Sequence, residues 1–561
     1  MNKGLAPLAL IVSGFVKGLF MAILGPYQLY RTFAGQQTYN WLLCLGMLVG
    51  ITGAWNAAFN AYRYGLGLEP ASVLVWAGAI YAALNAASEW VLNTLGPQSV
   101  LAWEPGAGRL RSWIGGKAPA MRSGTGAAKS DEALLRGAAI VTAPQLASII
   151  QAKYDKTDLA DAFYLDVVPV PPKMEPEHFL IEGKTGAGKS QAINAMMRTV
   201  RRRNQAAIIA DPAGGYLARF GREGDTILNP FDARTVEWSP FAEIEAEYDY
   251  RRMAIAAIPD GEGADKNWTT HAQVLFTGVF KALHQRGEHS VKQLLYFMTQ
   301  AEQPELADLL ADSPAAGYTK PANARMLESI RSTGCAPLSN WIYLADKGTF
   351  SVRKWVRESD ANRACLFMTY TDAQMAELRN LVACWLELAI VEGLSLTESQ
   401  SRRLWFIMDE LDSLGRIMSL RAGLTKLRKY GGVCVSGLQT IAQLRTTYGH
   451  DEAQTLLSCM TTKLILKAGD GETAKYFENE IGQQEVERKE RSKGTSQRIG
   501  DLETSSSNMS VRRSTQAAVL ASQITGLDNL HGYLMLTGLP TAQVRLEYVP
   551  MQDINAPYEP K

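Results

Sequence analysis

Residues Phe179 to Ser190 read FLIEGKTGAGKS, an apolar run that leads directly into a glycine-rich loop. The loop, Gly183 to Ser190, fits the phosphate-binding pattern G-x-x-x-x-G-K-[ST] at every fixed position. Its glycines allow backbone conformations that side chains forbid, so successive N–H groups can converge on phosphate oxygens. The apolar run predicts a strand, and residues 191–200 predict a helix whose N-terminal N–H groups face an anion. The stretch therefore predicts a nucleoside triphosphate site in an α/β domain.

The residue types in this loop predict separate roles. Lys189 would bring a point charge to the β- and γ-phosphates, and the Ser190 hydroxyl would be a Mg²⁺ ligand, so ATP and Mg²⁺ are the expected cofactors. The alternative is a chance match in a glycine-rich turn, but the strand–loop–helix context argues against it. The residues expected to contact the nucleotide are Gly183, Thr185, Gly186, Ala187, Gly188, Lys189, Ser190 and Gln191.

The composition sets broad limits on the function. The chain has 561 residues and a formal net charge of +1, so no global basic field indicates a nucleic acid partner, and any contact with a polyanion must come from local patches. The six cysteines show no C-x-x-C spacing. They are typical of a reduced cytosolic protein, and we predict neither a metal site nor a disulfide framework from them.

The N-terminal region, residues 1–97, contains three apolar stretches: 5–30, 41–59 and 73–92. A bilayer-spanning helix needs about 20 mostly apolar residues. The middle stretch is the best candidate, whereas Lys17 interrupts the first and polar residues end the third, so either of these could span or lie in the interface. Buried helices of a soluble domain are the alternative. The clustering of the stretches favours a membrane anchor.

Residues 98–130 form a Gly-, Ala-, Ser- and Lys-rich stretch that predicts a linker. Basic residues are concentrated there, while the loops between the apolar stretches contain few. Because positive charge marks the cytoplasmic side of a membrane, we expect the large C-terminal body to be cytoplasmic.

A second nucleotide motif is predicted at residues 403–410 (RLWFIMDE), an apolar strand closed by an acidic pair. In such a motif Asp409 would hold the Mg²⁺-bound water, and Glu410 would take a proton from the attacking water. An acidic pair by itself often only caps a helix. Together with the loop at 183–190, however, it predicts an ATPase. The intervening chain over 238–348 has helical periodicity, which predicts an inserted all-α domain.

Three further polar residues have two interpretations each. Asp211 follows an apolar strand and could approach the metal or organise the turn that follows it; we favour the turn. Gln439 could contact the γ-phosphate or be an ordinary polar strand end. Arg428 could be a surface residue of a helix over 420–430, or an arginine finger that reaches the phosphate of a neighbouring subunit.

Four local predictions concern segments outside these motifs. Residues 130–150 show helical spacing, and residues 242–257 do so as well. Residues 164–170 (YLDVVPV) predict a single short strand. Residues 484–515 are polar and charged without apolar periodicity, so we expect a mobile tract or a loop near a partner.

The set and order of the motifs resemble those of a known family, the conjugative coupling proteins of type IV secretion systems (the TraD/TrwB class), which are relatives of the FtsK and HerA DNA motors. The segments that carry the resemblance are IEGKTGAGKS (181–190), IADP (209–212), ILNPFD (227–232), LWFIMDEL (404–411), LTKLRK (424–429) and SGLQ (436–439).

The resemblance implies a RecA-like motor core with an all-α insertion, ring-shaped homo-hexamers with ATP between subunits, and single-stranded DNA in the central channel. It further implies a bacterial inner-membrane protein that brings a relaxase-bound DNA strand and the relaxosome to the components of a secretion channel. In this family Lys189 and Ser190 would bind phosphate and Mg²⁺, Asp409 and Glu410 would form the catalytic pair, and Gln439 would sense the γ-phosphate. Arg428 becomes a candidate finger acting on a neighbouring subunit. The chain departs from the family in its anchor, because the family usually has two spanning helices.

The resulting domain organisation has seven parts. They are a transmembrane anchor (1–97), a linker (98–130), the first part of the nucleotide-binding domain (131–237), an all-α inserted domain (238–348), the second part of the nucleotide-binding domain (349–483), a polar tract (484–515) and the C-terminal end of the nucleotide-binding domain (516–561).

Three other functions share parts of this motif set with a DNA-stimulated conjugative ATPase. An FtsK-like translocase for double-stranded DNA would have a DNA-reading domain after the motor, and only a polar tract and a short end follow here. A recruitment platform for protein effectors, with a largely structural ATP site, remains open because intact site residues do not exclude protein cargo. A transporter ATPase would need an L-S-G-G-Q segment, which the sequence lacks.

Overall fold

A computed structural model of the chain describes residues 132–261, 265–496 and 504–561. These residues belong to one compact unit, Ala128–Lys561. The predicted membrane anchor and linker lie outside the described residues. Of the helices within the described ranges, none is both long and apolar enough to cross a bilayer.

The strands of the described chain build three sheets. They are β1 (Glu132–Gly137), β2 (Ile140–Thr142), β3 (Phe163–Leu165), β4 (Val168–Val170), β5 (Phe179–Glu182), β6 (Ala206–Pro212), β7 (Thr226–Leu228), β8 (Cys365–Tyr370), β9 (Leu404–Met408), β10 (Gly432–Leu438), β11 (Thr462–Ile465), β12 (Gln483–Ser496), β13 (Thr504–Ala517), β14 (His531–Met535) and β15 (Thr541–Arg545).

The α-helices of the described chain pack mostly around the largest sheet. They are α1 (Ala143–Lys153), α2 (Lys156–Leu159), α3 (Lys189–Arg202), α4 (Gly215–Phe220), α5 (Asp249–Ala257), α6 (Asp265–Gln285), α7 (Val291–Thr299), α8 (Gln303–Leu309), α9 (Ala324–Leu338), α10 (Val352–Arg357), α11 (Ser359–Asn362), α12 (Asp372–Gly393), α13 (Leu420–Lys426), α14 (Ile441–Tyr448), α15 (His450–Cys459), α16 (Gly471–Ile481) and α17 (Ala521–Thr525).

The largest sheet has ten strands in the order β2-β15-β14-β11-β5-β10-β9-β6-β8-β7. The strands from β11 to β7 are parallel to their neighbours, whereas β14 runs antiparallel to both β11 and β15. Strand β5, which precedes the glycine-rich loop, lies between β10 and β11. In such a sheet the carboxyl ends of the parallel strands meet at one edge, where ligands bind.

The central strands are buried on both faces. Every residue of β5, β9 and β10 is buried, as their continuous apolar sequences require. Alternate residues enter two separate cores: Leu180 and Phe406 face one, and Ile181 and Ile407 face the other. Helices therefore cover both faces of the sheet, and only its edges are open to a ligand.

The chain between β7 and β8 forms helices α5 to α11 and, apart from residues 262–264 outside the description, contributes no strand to a sheet. Trp238, Phe276 and Trp341 pack edge to face at the centre of this block. Its core is continuous with the core on one face of the sheet. The predicted helix over 242–257 was partly wrong, because the helix begins only at Asp249, after a short 3₁₀ turn.

Two predictions near the start of the described chain were wrong. Residues 130–150 are not one helix: β1 and β2 come first, and helix α1 begins at Ala143. Strand β1 pairs with β12, and β2 with β15, so their partners lie far away in the sequence and leave no local pattern. Residues 164–170 lie in a hairpin of β3 and β4 instead of one strand. Asp166 turns the chain at a φ of 59°, and its Oδ1 accepts a hydrogen bond from the Val167 N–H at 2.8 Å.

The described parts of the polar tract, residues 484–496 and 504–515, are also structured, contrary to the prediction. They form the long antiparallel hairpin β12–β13, paired from Gln483 with Ala517 to Ser496 with Thr504. Strand β1 adds a third strand to this sheet. Backbone groups form the pairing, so a strand that is not buried on a face needs no alternating apolar pattern.

Candidate nucleotide-binding site

The glycine-rich loop connects β5 to α3, and its middle is exposed at the carboxyl edge of the sheet. Gly186 and Gly188 have φ angles of 79° and 120°, in the region that favours glycine. A Cβ added to Gly188 would lie 2.8 Å from Leu530 Cδ2, so the loop is also packed too tightly there for a side chain. Helix α3 begins at Lys189 and directs its free N–H groups at the loop.

Lys189 is the cation of the site. Its side chain is buried, and its Nζ donates a hydrogen bond to the Gly183 carbonyl oxygen at 2.6 Å. Its charge lowers the pKa values of Asp409, Glu410 and Asp412 against the effect of burial. The ammonium group therefore lies among the acidic residues at the end of β9, where a phosphate chain would be held.

Asp409 directly follows β9 and is buried. Its Oδ2 accepts a hydrogen bond from the Tyr216 hydroxyl at 2.7 Å, and its Oδ1 is buried without a hydrogen-bond partner. Burial raises the pKa of Asp409, and the Tyr216 hydroxyl, the charge of Lys189 and the nearby Ser190 hydroxyl oppose that rise. A buried carboxylate oxygen without a partner, close to the exposed Ser190 hydroxyl, fits the hard oxygen ligands that Mg²⁺ prefers.

Gln439 connects the acidic pair to the loop. It follows β10, and its Nε2 donates to Glu410 Oε1 at 3.2 Å, while its Oε1 accepts from the Thr185 hydroxyl at 3.3 Å. Burial raises the pKa of Glu410, and the neighbouring charges of Asp409 and Asp412 raise it further. A half-buried carboxyl group with a raised pKa, oriented by an amide, is suited to accepting a proton from water.

The structure also shows where Asp211 acts. Its Oδ1 and Oδ2 accept hydrogen bonds from the backbone N–H groups of Tyr216 and Leu217 at 2.9 and 2.7 Å. The favoured turn role is therefore confirmed. Burial, and to a smaller extent Asp409, raises the pKa of Asp211 to about 7.

Two predicted residues do not join this cluster. Gln191 Oε1 accepts a hydrogen bond from the Val549 N–H at 3.2 Å, so a distant segment holds this side chain. Arg428 lies in a 3₁₀ turn just before β10, at the opposite end of that strand from Gln439. It is exposed, and its ion pair is with Glu177, at 3.9 Å.

Sequence reasoning missed three residues of the site. Tyr216 and Asp412 contact or face the acidic pair, and Glu182, the last residue of β5, is buried with both carboxylate oxygens unpaired. Burial raises the pKa of Glu182 well above its usual value. Asp412 and Glu182 could have been found as acidic residues beside the motifs. No sequence signal marks Tyr216, because its contact depends on the adjacency of β6 and β9.

A family model described as the type IV secretion-system coupling protein DNA-binding domain matches residues 163–547. The chain belongs to this family. The resemblance inferred from the motifs is thereby confirmed. Coupling protein TraD of Escherichia coli (strain K12) is 28% identical over 394 residues, which make up 68% of this chain and 54% of TraD. The chain spans about half the length of the curated relatives it matches.

Solved structures of coupling proteins share the fold. The unbound form of the bacterial conjugative coupling protein TrwBdeltaN70 aligns with a TM-score of 0.70 and 31% identity, covering 76% of this chain and 96% of that chain. The plasmid coupling protein TrwB in complex with ADP and Mg²⁺ aligns with a TM-score of 0.67, at the same identity and coverage. The predicted α/β, RecA-like nucleotide-binding fold is confirmed.

Proposed function

We propose that this protein is a membrane-anchored, DNA-stimulated hexameric ATPase that delivers relaxase-bound DNA to a type IV secretion channel during bacterial conjugation. One observation carries the proposal: at the carboxyl edge of the sheet, beside the glycine-rich loop, lie the side chains of Lys189, Asp409, Glu410 and Gln439. The chain that holds them belongs to the coupling protein family. TrwB in complex with ADP and Mg²⁺, and with a non-hydrolysable ATP analogue, supports ATP and Mg²⁺ as the ligands.

The geometry supports one role for each residue. The backbone of the loop binds the phosphates, together with Thr185, and Lys189 exchanges the Gly183 carbonyl oxygen for a phosphate oxygen. Ser190 and Asp409 would hold Mg²⁺, which neutralises the charge on the phosphates when bound. Glu410 accepts the proton of the attacking water. Gln439 orients Glu410 and reports occupancy of the loop to it through Thr185.

The position of Arg428 supports a ring. The seven-residue strand β10, about 20 Å long at the usual rise per residue of a strand, lies between Arg428 and Gln439. A residue at that distance cannot reach the nucleotide of its own chain. A finger role for Arg428 therefore requires a neighbouring subunit, as in a homo-hexamer with ATP between subunits.

The remaining domains complete the proposal. Residues 1–97 anchor the chain in the inner membrane, residues 98–130 link the anchor to the cytoplasmic motor, and the all-α insertion over 238–348 meets the relaxosome. Single-stranded DNA passes through the channel of the ring. The helices described between β7 and β8 support an insertion of this kind.

The test is ATP hydrolysis by the full chain in detergent micelles, with and without single-stranded DNA, over a range of protein concentrations. We expect DNA to raise the rate, and the rate to climb faster than linearly with protein. Arg428→Ala should abolish turnover but spare nucleotide binding, whereas the matched variant Lys429→Ala, in the same exposed turn, should retain turnover. Turnover that ignores DNA and protein concentration would favour the recruitment platform instead. Stimulation by double-stranded DNA alone would favour an FtsK-like translocase.

A further inference from the structure

Helix α4 brings a buried tyrosine to the acidic pair. Tyr216 is 3% exposed, and its hydroxyl donates to Asp409 Oδ2 at 2.7 Å. The carboxylate therefore has one oxygen fixed by a phenol and the other, Oδ1, buried without a partner. A hydrogen bond to an ionised carboxylate favours the ionised form and restricts its rotation.

The position of Tyr216 is set from within the sheet by the turn that precedes α4. Asp211, at the end of β6, accepts the backbone N–H groups of Tyr216 and Leu217. Gly214 begins the helix at a φ of 66°. These contacts fix the N-terminal end of α4 but leave its other end to be held from outside.

That outer support comes from residues 549–561, which we call the C-terminal strap. The Asn555 side chain donates through Nδ2 to the carbonyl oxygens of Leu217 and Gly221, at 3.2 and 3.0 Å. The backbone N–H groups of Ile554 and Asn555 both donate to the Ala218 carbonyl oxygen, at 2.8 and 3.0 Å. The strap therefore adds hydrogen bonds to carbonyl groups in the last turn of α4 and just beyond it.

The strap also covers the beginning of α4. A Cβ added to Gly214 would lie 2.1 Å from the Pro557 carbonyl oxygen, so the two backbones are in close contact. At its start, the strap binds the Gln191 side chain of α3 through Val549 N–H, at 3.2 Å. One segment thus holds both the helix that follows the phosphate loop and the helix that carries Tyr216.

The far end of the strap is bonded to the segment after β7. Arg234 donates to the Ala556 carbonyl oxygen at 2.8 Å and is paired with the buried Asp232, whose Oδ2 accepts the Glu559 N–H at 3.2 Å. The Ala233 N–H donates to the Glu559 carbonyl oxygen at 2.7 Å. The strap is therefore bonded on both sides of α4.

We propose that Tyr216 is a positioning residue that aims the free oxygen of Asp409 at the nucleotide-bound cation, and that the C-terminal strap sets its position through α4. The proposal rests on the nucleotide site proposed above. Without the phenol, Asp409 would be a buried carboxylate with no hydroxyl from α4, free to rotate away from Ser190. Without the strap, α4 would lose these hydrogen bonds to its Leu217 and Ala218 carbonyl oxygens.

The experiment measures binding of a fluorescent ADP analogue to the full chain in detergent micelles, in excess EDTA and across a Mg²⁺ titration. For Tyr216→Phe we expect affinity in EDTA to be unchanged and the Mg²⁺ concentration for half-maximal binding to rise about 10-fold, as loss of a hydrogen bond to a charged group implies. Asn555→Ala should raise the Mg²⁺ concentration for half-maximal binding by about 3-fold, a smaller effect because Asn555 acts on the site only through α4.

Two matched controls separate positioning from general damage. Tyr448→Phe removes another buried tyrosine hydroxyl, which accepts the Ile417 N–H at 3.3 Å, and should leave the Mg²⁺ titration unchanged. Gln552→Ala removes an exposed side chain of the strap away from these contacts, and should also leave the Mg²⁺ titration unchanged.

The outcomes are distinct. A Tyr216→Phe variant that binds less tightly in EDTA and in Mg²⁺ alike, or that keeps the wild-type titration, overturns the positioning role. If Tyr216→Phe fails to fold, the Mg²⁺ titration of Asn555→Ala decides. A shifted titration supports the proposal that the strap positions Tyr216 through α4, and an unshifted titration overturns that proposal. A shift with Tyr216→Phe but not with Asn555→Ala removes the strap from the proposal. Wild-type protein that shows no Mg²⁺-dependent binding at all would overturn the proposed function, and this inference with it.

Discussion

Glu410 has the chemical character of a general base because of its surroundings. Burial and the charges of Asp409 and Asp412 raise its pKa, and Gln439 holds its orientation. The Glu410 side chain itself is not among the groups proposed to bind the nucleotide, which are the loop, Lys189 and, through Mg²⁺, Ser190 and Asp409. Binding and hydrolysis should therefore be separable by changing one atom of this side chain.

We predict that Glu410→Gln retains nucleotide affinity and lowers turnover by about 10²- to 10⁴-fold, the usual contribution of a general base. The measurement is phosphate release at saturating ATP, together with binding of a fluorescent ATP analogue. Glu358→Gln, at an exposed helix end, is the matched control and should behave as wild type. Turnover near the wild-type rate in Glu410→Gln would assign the base to another group.

His178 supports a prediction about stability at acid pH. It is buried just before β5, its Nδ1 accepts the Cys434 N–H at 3.0 Å, and burial lowers its pKa to about 4. The unfolded chain takes up this proton near pH 6.5 and the folded chain does so only near pH 4, so the stabilisation is present above pH 6.5 and is lost as the pH falls towards 4.

Between pH 6.5 and pH 4, the free energy of unfolding should fall by up to about 3 kcal/mol because of His178, at 1.36 kcal/mol per pKa unit. His178→Asn keeps an acceptor and tolerates the φ of 60° at this position, so its unfolding free energy should depend less on pH. Denaturant unfolding of the compact unit Ala128–Lys561, from pH 4 to 8, measures the difference. If the unfolding free energies of the wild type and of His178→Asn depend on pH in the same way, the prediction is wrong.

At the scale of elements, the phosphate loop depends on a backbone conformation and on its packing. Gly188 has a φ of 120°, and Leu530, from the chain just before β14, packs against it. The loop is thus held by the C-terminal part of the chain as well as by its own strand and helix. A side chain at this position would strain the backbone and displace Leu530 together.

We predict that Gly188→Ala destabilises the protein by about 1–3 kcal/mol, the usual cost of a forced backbone conformation, and weakens ATP binding more than 10-fold. Thermal unfolding and nucleotide titration measure the two effects. Gly287→Ala is the matched control, because Gly287 also has a positive φ, of 74°, but nothing lies within 4 Å of its added Cβ. It should cost some stability and leave nucleotide binding intact. Equal binding losses in both variants would refute the argument.

At the scale of the whole molecule, the proposed nucleotide site and the proposed arginine finger lie at opposite edges of the sheet. In the proposed function its carboxyl edge would supply the groups for binding and hydrolysis, and Arg428, the proposed finger, lies at the other edge. A ring of identical subunits places different edges of neighbouring chains together, and each nucleotide then needs two chains.

We predict that Lys189→Ala and Arg428→Ala are each inactive alone and regain ATP turnover when mixed. In a randomly mixed ring, about one quarter of the sites would combine an intact Lys189 with an intact Arg428 from the neighbour. Lys189→Ala mixed with Glu410→Gln is the control and should stay inactive, because both residues belong to one chain's site. No recovery in the first mixture would show that Arg428 does not act between subunits.

The sequence by itself determined the parts whose chemistry is local. The loop from Gly183 to Ser190 acts within consecutive residues, and its context was recognisable because β5 and β9 are buried on both faces and must be continuously apolar. The acidic pair at the end of β9 followed for the same reason. The helical character of the block between β7 and β8 was also visible, because helical hydrogen bonds join near neighbours in the chain, although the helix expected over 242–257 begins only at Asp249.

Only the tertiary structure decided which strand ends meet. No local pattern states that β6 lies beside β9, so the contact of Tyr216 with Asp409 was invisible, as was the place of Arg428 at the far edge of the sheet. The same holds for the pairing of β1 with β12, which joins segments about 350 residues apart in the sequence. Strand order and strap contacts depend on long-range packing, which single residues and their neighbours do not encode.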